Sequence, residues 1–281
     1  MGNYVLSHYQ IKSLLAVRPE APTTKSVSLD LNLSRQEIQL TSAGTILPDG
    51  QRLSWDSLEQ MAANENACYL VRDGAGQKIQ FFSSAFNRVH TLYPTTGAPT
   101  MLVSGLPMHR IKGIDPYQDT QQKLKTVQPL TGRVLDTTMG LGYTAIQAAQ
   151  TALEVVTIEL DPAVVEVCRL NPWSQPLFTL PHITRRVGDS YVEIETFPDH
   201  SFSRIIHDPP TFSLAGELYS TEFYRQLYRV LAHKGRLFHY IGDLNSRSGR
   251  GVARGVSRRL RKVGFRKVVQ KRKAFGLVTF K

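Results

Sequence analysis

Five short apolar runs in the C-terminal part of the chain alternate with helix-like segments, and this alternation constrains the fold most strongly. The runs are RVLDT, EVVTIEL, ITRRVGD, RIIHD and RLFHYI. Such alternation is typical of right-handed βαβ units, which build a parallel sheet. Two further runs, FRKVVQKRK and GLVTFK, are too close in sequence for a crossover helix, so we expect them to pair as an antiparallel hairpin. The sequence therefore predicts a mostly parallel α/β sheet that ends in a hairpin.

The pattern changes near residue 105, which predicts two domains, 1–105 and 106–281. In the first, KSVSLDLNL alternates as a half-buried strand does, ACYLV and KIQFF flank RDGAGQ as in a hairpin, and SWDSLEQMAA has the capping pattern of a short helix. We expect a smaller N-terminal α+β or mainly β domain of unknown role. A Pro- and Gly-rich stretch, 93–116, predicts a linker between the domains.

The bulk composition limits the class of protein. The chain has 281 residues with 41% hydrophobic content, enough for a sizeable core, and no apolar run long enough to span a membrane. Its N-terminus lacks the pattern of a secretory leader. Cys68 and Cys168 stand in no metal-like spacing, so we expect no metal, and a reduced, cytoplasmic location.

The positive charge is concentrated at the C-terminal end. The net charge is +11, yet from Arg225 onward 17 Lys or Arg face a single acid, Asp243, while the preceding part is net acidic. Such a concentration attracts phosphate backbones, although a solvated face that keeps the protein dissolved would also explain it. The asymmetry favours contact with nucleic acid.

The segment RGVARGVSRRLRKVGF carries much of this charge on a predicted helix. Its apolar residues follow helical spacing on one side and its arginines on another. A solvated helix normally mixes charge signs to form i,i+4 pairs, and this segment contains no acid. We therefore predict that Arg254, Arg258 and Arg261 bind substrate phosphates.

The turn after the first strand, VLDTTMGLGYTA, predicts a nucleotide site. Gly140 and Gly142 allow a tight turn and a close approach of a ligand to the main chain. The glycines alone also fit a dinucleotide-binding loop. Asp136 separates the two possibilities, because a carboxylate there would repel a pyrophosphate and attract a ligand with a cationic amino group.

Two more acids follow the next strands. Glu159 ends the second strand, where it suits the hydroxyls of a ribose, and Asp189 follows the third, where it suits an adenine amine. Each has a structural alternative: Glu159 as a charge at the start of a helix, and Asp189 as a helix N-cap.

The fourth strand ends in HDPPTF, which the two prolines force into a stiff, extended turn. This turn is either a strand breaker or a rigid holder of Asp208 and the carbonyl of Pro209. Alternation points His207 to the opposite face from Asp208, so we expect a structural histidine. His239 and Tyr240, at the end of the fifth strand, suit substrate contact and strand interior equally.

The order of these motifs over residues 110–281 resembles the class I S-adenosylmethionine-dependent methyltransferases. The resemblance implies a Rossmann-like, seven-stranded, mostly parallel sheet with the closing hairpin. It also implies S-adenosylmethionine as cofactor, bound by Asp136, Gly140, Gly142, Glu159 and Asp189. The wording LDTTMGLGYTA with DPPTFS is similar to a group of predicted methyltransferases known mainly from archaea.

The resemblance also implies the chemistry of the HDPPTF turn. Asp208 and the carbonyl of Pro209 would accept the two protons of an amine that is being methylated. In family members that act on bases an aromatic residue directly follows the prolines. Here Thr211 stands in that place, and Phe212, one residue later, takes the stacking role if the loop is longer.

We therefore expect a methyltransferase that acts on RNA, tRNA or rRNA. One alternative is a small-molecule transferase of the same fold, either a metabolite methyltransferase or a spermidine-synthase-like aminopropyltransferase. Those aminopropyltransferases usually carry a second acid soon after the fourth-strand acid, and TFSLAG supplies none before Glu217. The other alternative is a non-catalytic RNA-binding protein with a relic cofactor pocket, against which the intact set of acids argues.

Overall fold

The computed structural model describes residues 3–281. By its contacts the chain forms two compact units. Unit 1 runs up to Tyr117 and takes in Ala163–Gln175, and unit 2 consists of Gln118–Pro162 and Pro176–Lys281. The division into domains at residue 105 stays a prediction.

Unit 1 consists mainly of short antiparallel strands. These are β1 (Tyr4–Leu6), β2 (Thr23–Val27), β3 (Gln36–Thr41), β4 (Gly44–Ile46), β5 (Arg52–Ser54), β6 (Tyr69–Arg72), β7 (Ala75–Lys78), β8 (Gln80–Ser83), β9 (Arg88–Tyr93), β10 (Thr100–Val103) and β11 (Leu106–Pro107). They form three sheets, β1-β6-β7, β2-β3-β4-β5 and β11-β10-β9-β8. Its helices are α1 (His8–Leu15) and α2 (Trp55–Ala62), and α3 (Pro116–Leu124) leads into unit 2. The predicted smaller N-terminal region, α+β or mainly β, is confirmed as one built mainly of β-strands.

Local details of unit 1 differ from the sequence predictions. The hairpin pairs β6 with β7 across Asp73 and Gly74, both at positive φ, and KIQFF contributes instead to β8 in another sheet. The first predicted strand ends at Val27, since the chain turns through left-handed Leu31 and Asn32. The predicted linker contains β10 and β11, because β10 extends the β8-β9 hairpin by pairing with β9.

Unit 2 is built on one seven-stranded sheet. Its strands are β12 (Arg133–Asp136), β13 (Glu154–Glu159), β14 (Ile183–Val187), β15 (Phe202–His207), β16 (Leu231–Tyr240), β17 (Arg266–Lys271) and β18 (Gly276–Phe280). The order is β14-β13-β12-β15-β16-β18-β17. The first five strands are parallel to one another, and β18 runs antiparallel to both of its neighbours, β16 and β17. The Rossmann-like fold with its closing hairpin is confirmed.

Helices follow most of these strands. They are α4 (Tyr143–Ala148), α5 (Pro162–Leu170), α6 (Pro176–Thr179), α7 (Ser190–Glu193), α8 (Thr221–Val230) and α9 (Arg247–Lys262). Although α5 lies between β13 and β14 in the chain, it and the following turn group with unit 1, where the Trp173 indole donates to the carbonyl of Leu31 at 2.9 Å. Among residues 3–281 no helix has the length and apolar content to cross a bilayer.

The strand order places the topological switch point of the sheet beside β12. The chain adds β13 and β14 on one side of β12 and then β15 and β16 on the other, so the strand order reverses there. Open α/β sheets bind ligands at the carboxyl ends of the strands at this point. Asp136 lies level with Thr157 of β13 and Ile206 of β15. Asp136, Glu159 and Asp208, at or directly after the ends of β12, β13 and β15, therefore lie at one edge of the sheet.

The hydrophobic core of unit 2 fixes α9 and leaves β17 at the edge of the sheet. Ala253, Val256 and Leu260 of α9 are buried in the cluster that contains the strand residues Leu135 and Ile205. The edge strand β17 carries a register shift between Arg266 and Val269, with Lys267 in the left-handed region at φ 47°. Its exposed residues include Arg266, Lys267 and Lys271.

Candidate functional site

The loop after β12 turns through two glycines at positive φ. Gly140 has φ 52° and Gly142 has φ 78°. A Cβ on Gly142 would lie 2.1 Å from the Leu177 side chain, so only glycine fits there. The amide of Gly142 donates to the carbonyl of Met139 at 2.8 Å, which closes the turn. The predicted tight turn is thus required by both conformation and space.

Glu159, at the end of β13, holds this loop through its carboxylate. Its Oε2 accepts a hydrogen bond from the amide of Gly140 at 2.9 Å, and its Oε1 accepts one from the amide of Asp161 at 3.0 Å. Burial raises the pKa of Glu159 to about 7, although the hydrogen bonds from the two amides favour the charged form and oppose this shift. The carboxyl lies beside the turn, where the ribose role was predicted.

Asp136 is fully buried at the end of β12. Its Oδ2 accepts a hydrogen bond from the Thr157 hydroxyl at 2.8 Å. Burial, with a further contribution from the charge of Asp208, raises the pKa of Asp136 to about 8, although the Thr157 hydroxyl opposes the shift. Its Oδ1 is buried and has no partner of good hydrogen-bond geometry among the described residues.

The Asp208–Pro210 loop is anchored at two carbonyls. The hydroxyl of Thr138 donates to the carbonyl of Asp208 at 2.8 Å, and the hydroxyl of Tyr219 donates to the carbonyl of Pro210 at 2.9 Å. Pro209, between them, is buried, whereas Pro210 is exposed. The loop is therefore fixed on both sides of the carbonyl that was predicted to accept a proton.

A buried lysine from α3 reaches the carboxylate of Asp208. Nζ of Lys123 lies 2.6 Å from Oδ2 of Asp208 and 3.0 Å from Oδ2 of Asp119, which is one helical turn earlier. Lys123 is 4% exposed and Asp119 is fully buried. Burial acts to lower the pKa of Lys123, but Asp208 and Asp119 together outweigh it and hold that pKa above its ordinary value. The ammonium also lies 4.7 Å from the ring centre of Tyr240.

His207 and His239 are buried and neutral. Nε2 of His207 lies 3.0 Å from the carbonyl of Leu218 and therefore carries the proton, while Nδ1 accepts from the Thr137 hydroxyl at 2.7 Å. Burial lowers the pKa of His207 to about 3. Nε2 of His239 lies 2.8 Å from the Tyr224 hydroxyl, and burial lowers its pKa as well. His207 is structural, as predicted, and His239 serves the strand interior.

Asp189 and Phe212 lie at the surface near the site. Asp189 is exposed, and its Oδ1 accepts from the amide of Tyr191 at 2.8 Å as the N-cap of α7. The geometry thus matches the capping alternative, and the adenine role stays a prediction. Phe212 is 52% exposed, and its ring meets the Tyr219 ring edge to face at 5.5 Å.

The predicted arginines on α9 do not all lie together. Arg254 and Arg258 line a surface groove with Arg247 and Arg250, whereas Arg261 lies on the same helix but does not line this groove. All three predicted arginines are exposed. The role of these three arginines in substrate binding stays a prediction.

Several residues of the site went unnoticed in the sequence. Lys123 and Asp119 lie on a helix before the first strand of the sheet, and Thr138, Thr157 and Tyr219 are the hydroxyl donors described above. The only available signal was the i,i+4 spacing of Asp119 and Lys123, which resembles an ordinary surface pair. Among residues 3–281 no group of three or more His, Cys, Asp or Glu is placed to hold a metal ion.

Sequence comparison finds one relative over almost the whole chain. The chain is 40% identical over 285 aligned residues to uncharacterized protein MJ1233 of Methanocaldococcus jannaschii, covering 99% of this chain and 97% of that protein. It is also 31% identical over 99 residues to polyamine aminopropyltransferase 2 of Streptomyces coelicolor, a match to 33% of this chain and 18% of that protein. No protein-family model matches.

Structure comparison shows the fold alone. Spermidine synthase in complex with the transition state analogue AdoDATO is similar with a TM-score of 0.59 and 19% identity, over 74% of this chain and 76% of that chain. The chain therefore shares the Rossmann-like fold of that structure. At the level of sequence, the near full-length match shows that the chain belongs to the family of uncharacterized protein MJ1233 of Methanocaldococcus jannaschii.

Proposed function

We propose that the protein is an S-adenosylmethionine-dependent methyltransferase that acts on an amine nitrogen of RNA, in tRNA or rRNA. The observation that carries the proposal is the Asp208 loop. The carboxylate of Asp208 is held by Lys123 at 2.6 Å. The loop follows β15, which pairs with β12. Asp136 ends β12, and Gly140 lies in the turn after it. A fixed acceptor of protons thus lies at the same sheet edge as a nucleotide-type loop.

The residues around β12 fit S-adenosylmethionine as the donor. This cofactor supplies an electrophilic methyl group on a sulfonium when it is bound. The unsatisfied Oδ1 of Asp136 suits its ammonium group, and Glu159, which already fixes the Gly140 amide, suits the ribose hydroxyls. Gly142 gives the turn its shape, and Asp189 would bind the adenine amine.

Asp208 and Pro209 would prepare the acceptor nitrogen. An amine that donates its two N–H groups to the Asp208 carboxylate and the Pro209 carbonyl directs its lone pair away from them. As the N–C bond forms, the methyl–sulfur bond of the donor would break with its electrons going to sulfur, and the nitrogen would carry an extra proton for the Asp208 carboxylate to take. The ammonium of Lys123 holds the side chain of Asp208 in place, and Thr138 holds its backbone.

The RNA part of the proposal is supported by charge and by an exposed ring. Most of the basic excess lies after Arg225, and the exposed arginines of α9 belong to the same unit as the Asp208 loop. Phe212, half exposed beside that loop, offers a face on which a base can stack. The Phe212 ring is held by its contact with Tyr219. In the sequence it stands one residue later than the aromatic residue of family members that act on bases.

A second candidate is aminopropyl transfer from decarboxylated S-adenosylmethionine to a polyamine. The specific observation in its favour is the excess of acids. The buried ammonium of Lys123 pairs with Asp119 and Asp208, and two further acids, Asp136 and Glu159, stand at the ends of the neighbouring strands β12 and β13. A donor without a carboxylate and a polycationic acceptor complement such a site. Asp119 also supplies the second acid that the sequence after Asp208 lacks. The similarity to a polyamine aminopropyltransferase agrees with this candidate.

Calorimetry and transfer assays separate the two. We expect S-adenosylmethionine to bind and NAD to bind far more weakly, with methyl-labelled cofactor transferring label to RNA from cells that lack the protein, as read by nucleoside mass spectrometry. Asp208→Asn is the matched control for transfer. Turnover of putrescine or spermidine with the decarboxylated cofactor, without RNA labelling, would establish the second candidate, and binding of NAD alone would refute both.

A further inference from the structure

The exposed side of α9 forms a groove with an unusual lining. The groove has a volume of about 610 Å³ and is lined by arginines and glycines, namely Arg247, Arg250, Gly251, Arg254, Gly255 and Arg258. The opposite side of the helix is buried through Ala253, Val256 and Leu260. The sheet therefore fixes the helix, and the groove faces outward as a rigid surface.

The positive charge of the groove is not neutralised within the protein. None of the four arginines forms a salt bridge with a residue of the described chain, 3–281, and α9 itself contains no acid. Arg250 donates to the carbonyl of Asn245, and Arg272 lies 3.5 Å from the Asn245 side chain. The charged surface thus continues from the groove to the residues that follow β17.

The two glycines of the groove have no structural explanation. A Cβ on Gly249 would lie 1.9 Å from the carbonyl oxygen of Asp243, so packing demands that glycine. A Cβ on Gly251 would meet nothing within 4 Å, and one on Gly255 would make only ordinary contact, at 3.4 Å, with Arg259. Glycine inside a helix costs about 1 kcal/mol relative to alanine. A ligand that approaches the helix backbone between the arginines would explain both.

We propose that this groove binds the phosphate backbone of RNA, with Arg247, Arg250, Arg254 and Arg258 contacting phosphates and Gly251 and Gly255 keeping the floor open. The inference deepens the proposed function, on which it rests for RNA as the acceptor. The arginine row spans about 16 Å, enough for several consecutive phosphates of one strand. Because α9 begins shortly after Tyr240, the row starts near the sheet edge that carries Asp208.

The composition of the groove favours RNA over an anionic membrane. A helix that lies on a membrane presents an apolar face with residues such as Trp, Phe or Leu next to its basic residues. The apolar side chains of α9 are directed into the core, and the groove is lined only by arginine and glycine. Such a surface suits the phosphate backbone of RNA, which stays hydrated, better than it suits a membrane.

Salt-dependent binding of unfractionated tRNA tests the arginine part of the inference. We expect R250A/R254A/R258A to reduce the log–log salt slope by about 2 to 3, near one unit for each lost phosphate contact. The matched control K262A/R266A/K271A removes the same charge from exposed residues of the same unit outside the groove, and should change the slope by less than about one unit. Equal slopes for the two variants would overturn the proposal.

Filling the floor of the groove tests the role of the glycines. G251Q/G255Q should weaken tRNA binding about tenfold, equivalent to one good contact, while its Tm stays equal to the wild type or rises, because glutamine favours helix over glycine. Undiminished tRNA binding by this variant would overturn the proposal. So would binding to phosphatidylserine vesicles that exceeds tRNA binding and is lost in R250A/R254A/R258A.

These measurements are independent of turnover, so the two proposals fail separately. Binding is measured without cofactor, so it does not depend on methyl transfer. If the wild type binds tRNA through the arginines but transfers no methyl group, the groove inference stands and the proposed function fails. If methyl transfer to RNA occurs and the groove variants bind tRNA normally, the proposed function stands and the groove inference fails.

Discussion

Lys123 and Asp208, 85 positions apart in the chain, form an ion pair with 2.6 Å between Nζ of the buried lysine and Oδ2 of the partly buried aspartate. The same ammonium pairs with Asp119 at 3.0 Å, so one lysine serves two carboxylates. Breaking a buried ion pair is costly, since it leaves charges without partners in a poorly solvated place.

Lys123→Met should therefore destabilise the protein by roughly 3–5 kcal/mol, measured by urea unfolding. Adding Asp119→Asn to this variant should restore part of the loss, because one of the two unpaired acids is then removed. Equal stability of the wild type and Lys123→Met would show that the pair does not hold the site together.

Asp208→Ala should lower turnover by about 100-fold or more while leaving the affinity for the donor nearly unchanged, because the carboxylate acts mainly in the transition state. Single-turnover kinetics and calorimetry measure the two quantities. Asp199→Asn, at an exposed acid paired with Arg229, is the control and should be silent in both. Full turnover by Asp208→Ala would show that HDPPTF forms a turn and takes no part in the reaction.

Thr138→Val should lower kcat about tenfold, the equivalent of 1.4 kcal/mol of lost positioning, with little change in KM. The hydroxyl of Thr138 fixes the carbonyl of Asp208 and touches no reacting group in the proposed scheme. Thr138→Ser keeps the hydroxyl and should restore kcat. A loss that serine does not rescue would contradict a positioning role.

Binding of a cationic donor should tighten with pH. The pKa of Asp136 is raised to about 8 and that of Glu159 to about 7, so both acids ionise as the pH rises through this window. A cation binds the ionised forms better, so affinity for S-adenosylmethionine should rise from about pH 6 to about pH 8.5, with release of protons. Calorimetry in two buffers of different ionisation enthalpy counts those protons. Asp136→Asn should flatten the dependence, and pH-independent binding by the wild type would contradict it.

The strands of unit 2 were predictable because their signals are local. Each parallel strand is a short apolar run, and the β17–β18 hairpin follows from the few residues between its strands. Acids and glycines after such runs must meet at one edge, so the meeting of Asp136, Glu159 and Asp208 at that edge could be predicted without coordinates.

The contacts that complete the site are non-local and carry no comparable signal. Lys123 belongs to a helix before β12, and nothing in its neighbourhood indicates that it pairs with Asp208. The sequence also gives no signal that Trp173 belongs to unit 1, because this placement depends on a hydrogen bond from its indole to the carbonyl of Leu31. Strand partners in unit 1 were mispredicted because its strands are short and several pairings satisfy the same alternation.

The edge strand β17 has a consequence for self-association. Its outer backbone groups are available to pair with a strand of another molecule, and chains with such edges can polymerise. The bulge at Lys267 and the cations at Arg266 and Lys271 oppose this, one by breaking the strand's regularity and the others by repulsion between copies. Repulsion is screened by salt, while the bulge is not. In concentrated salt, the protection of this strand therefore rests on the backbone conformation at Lys267.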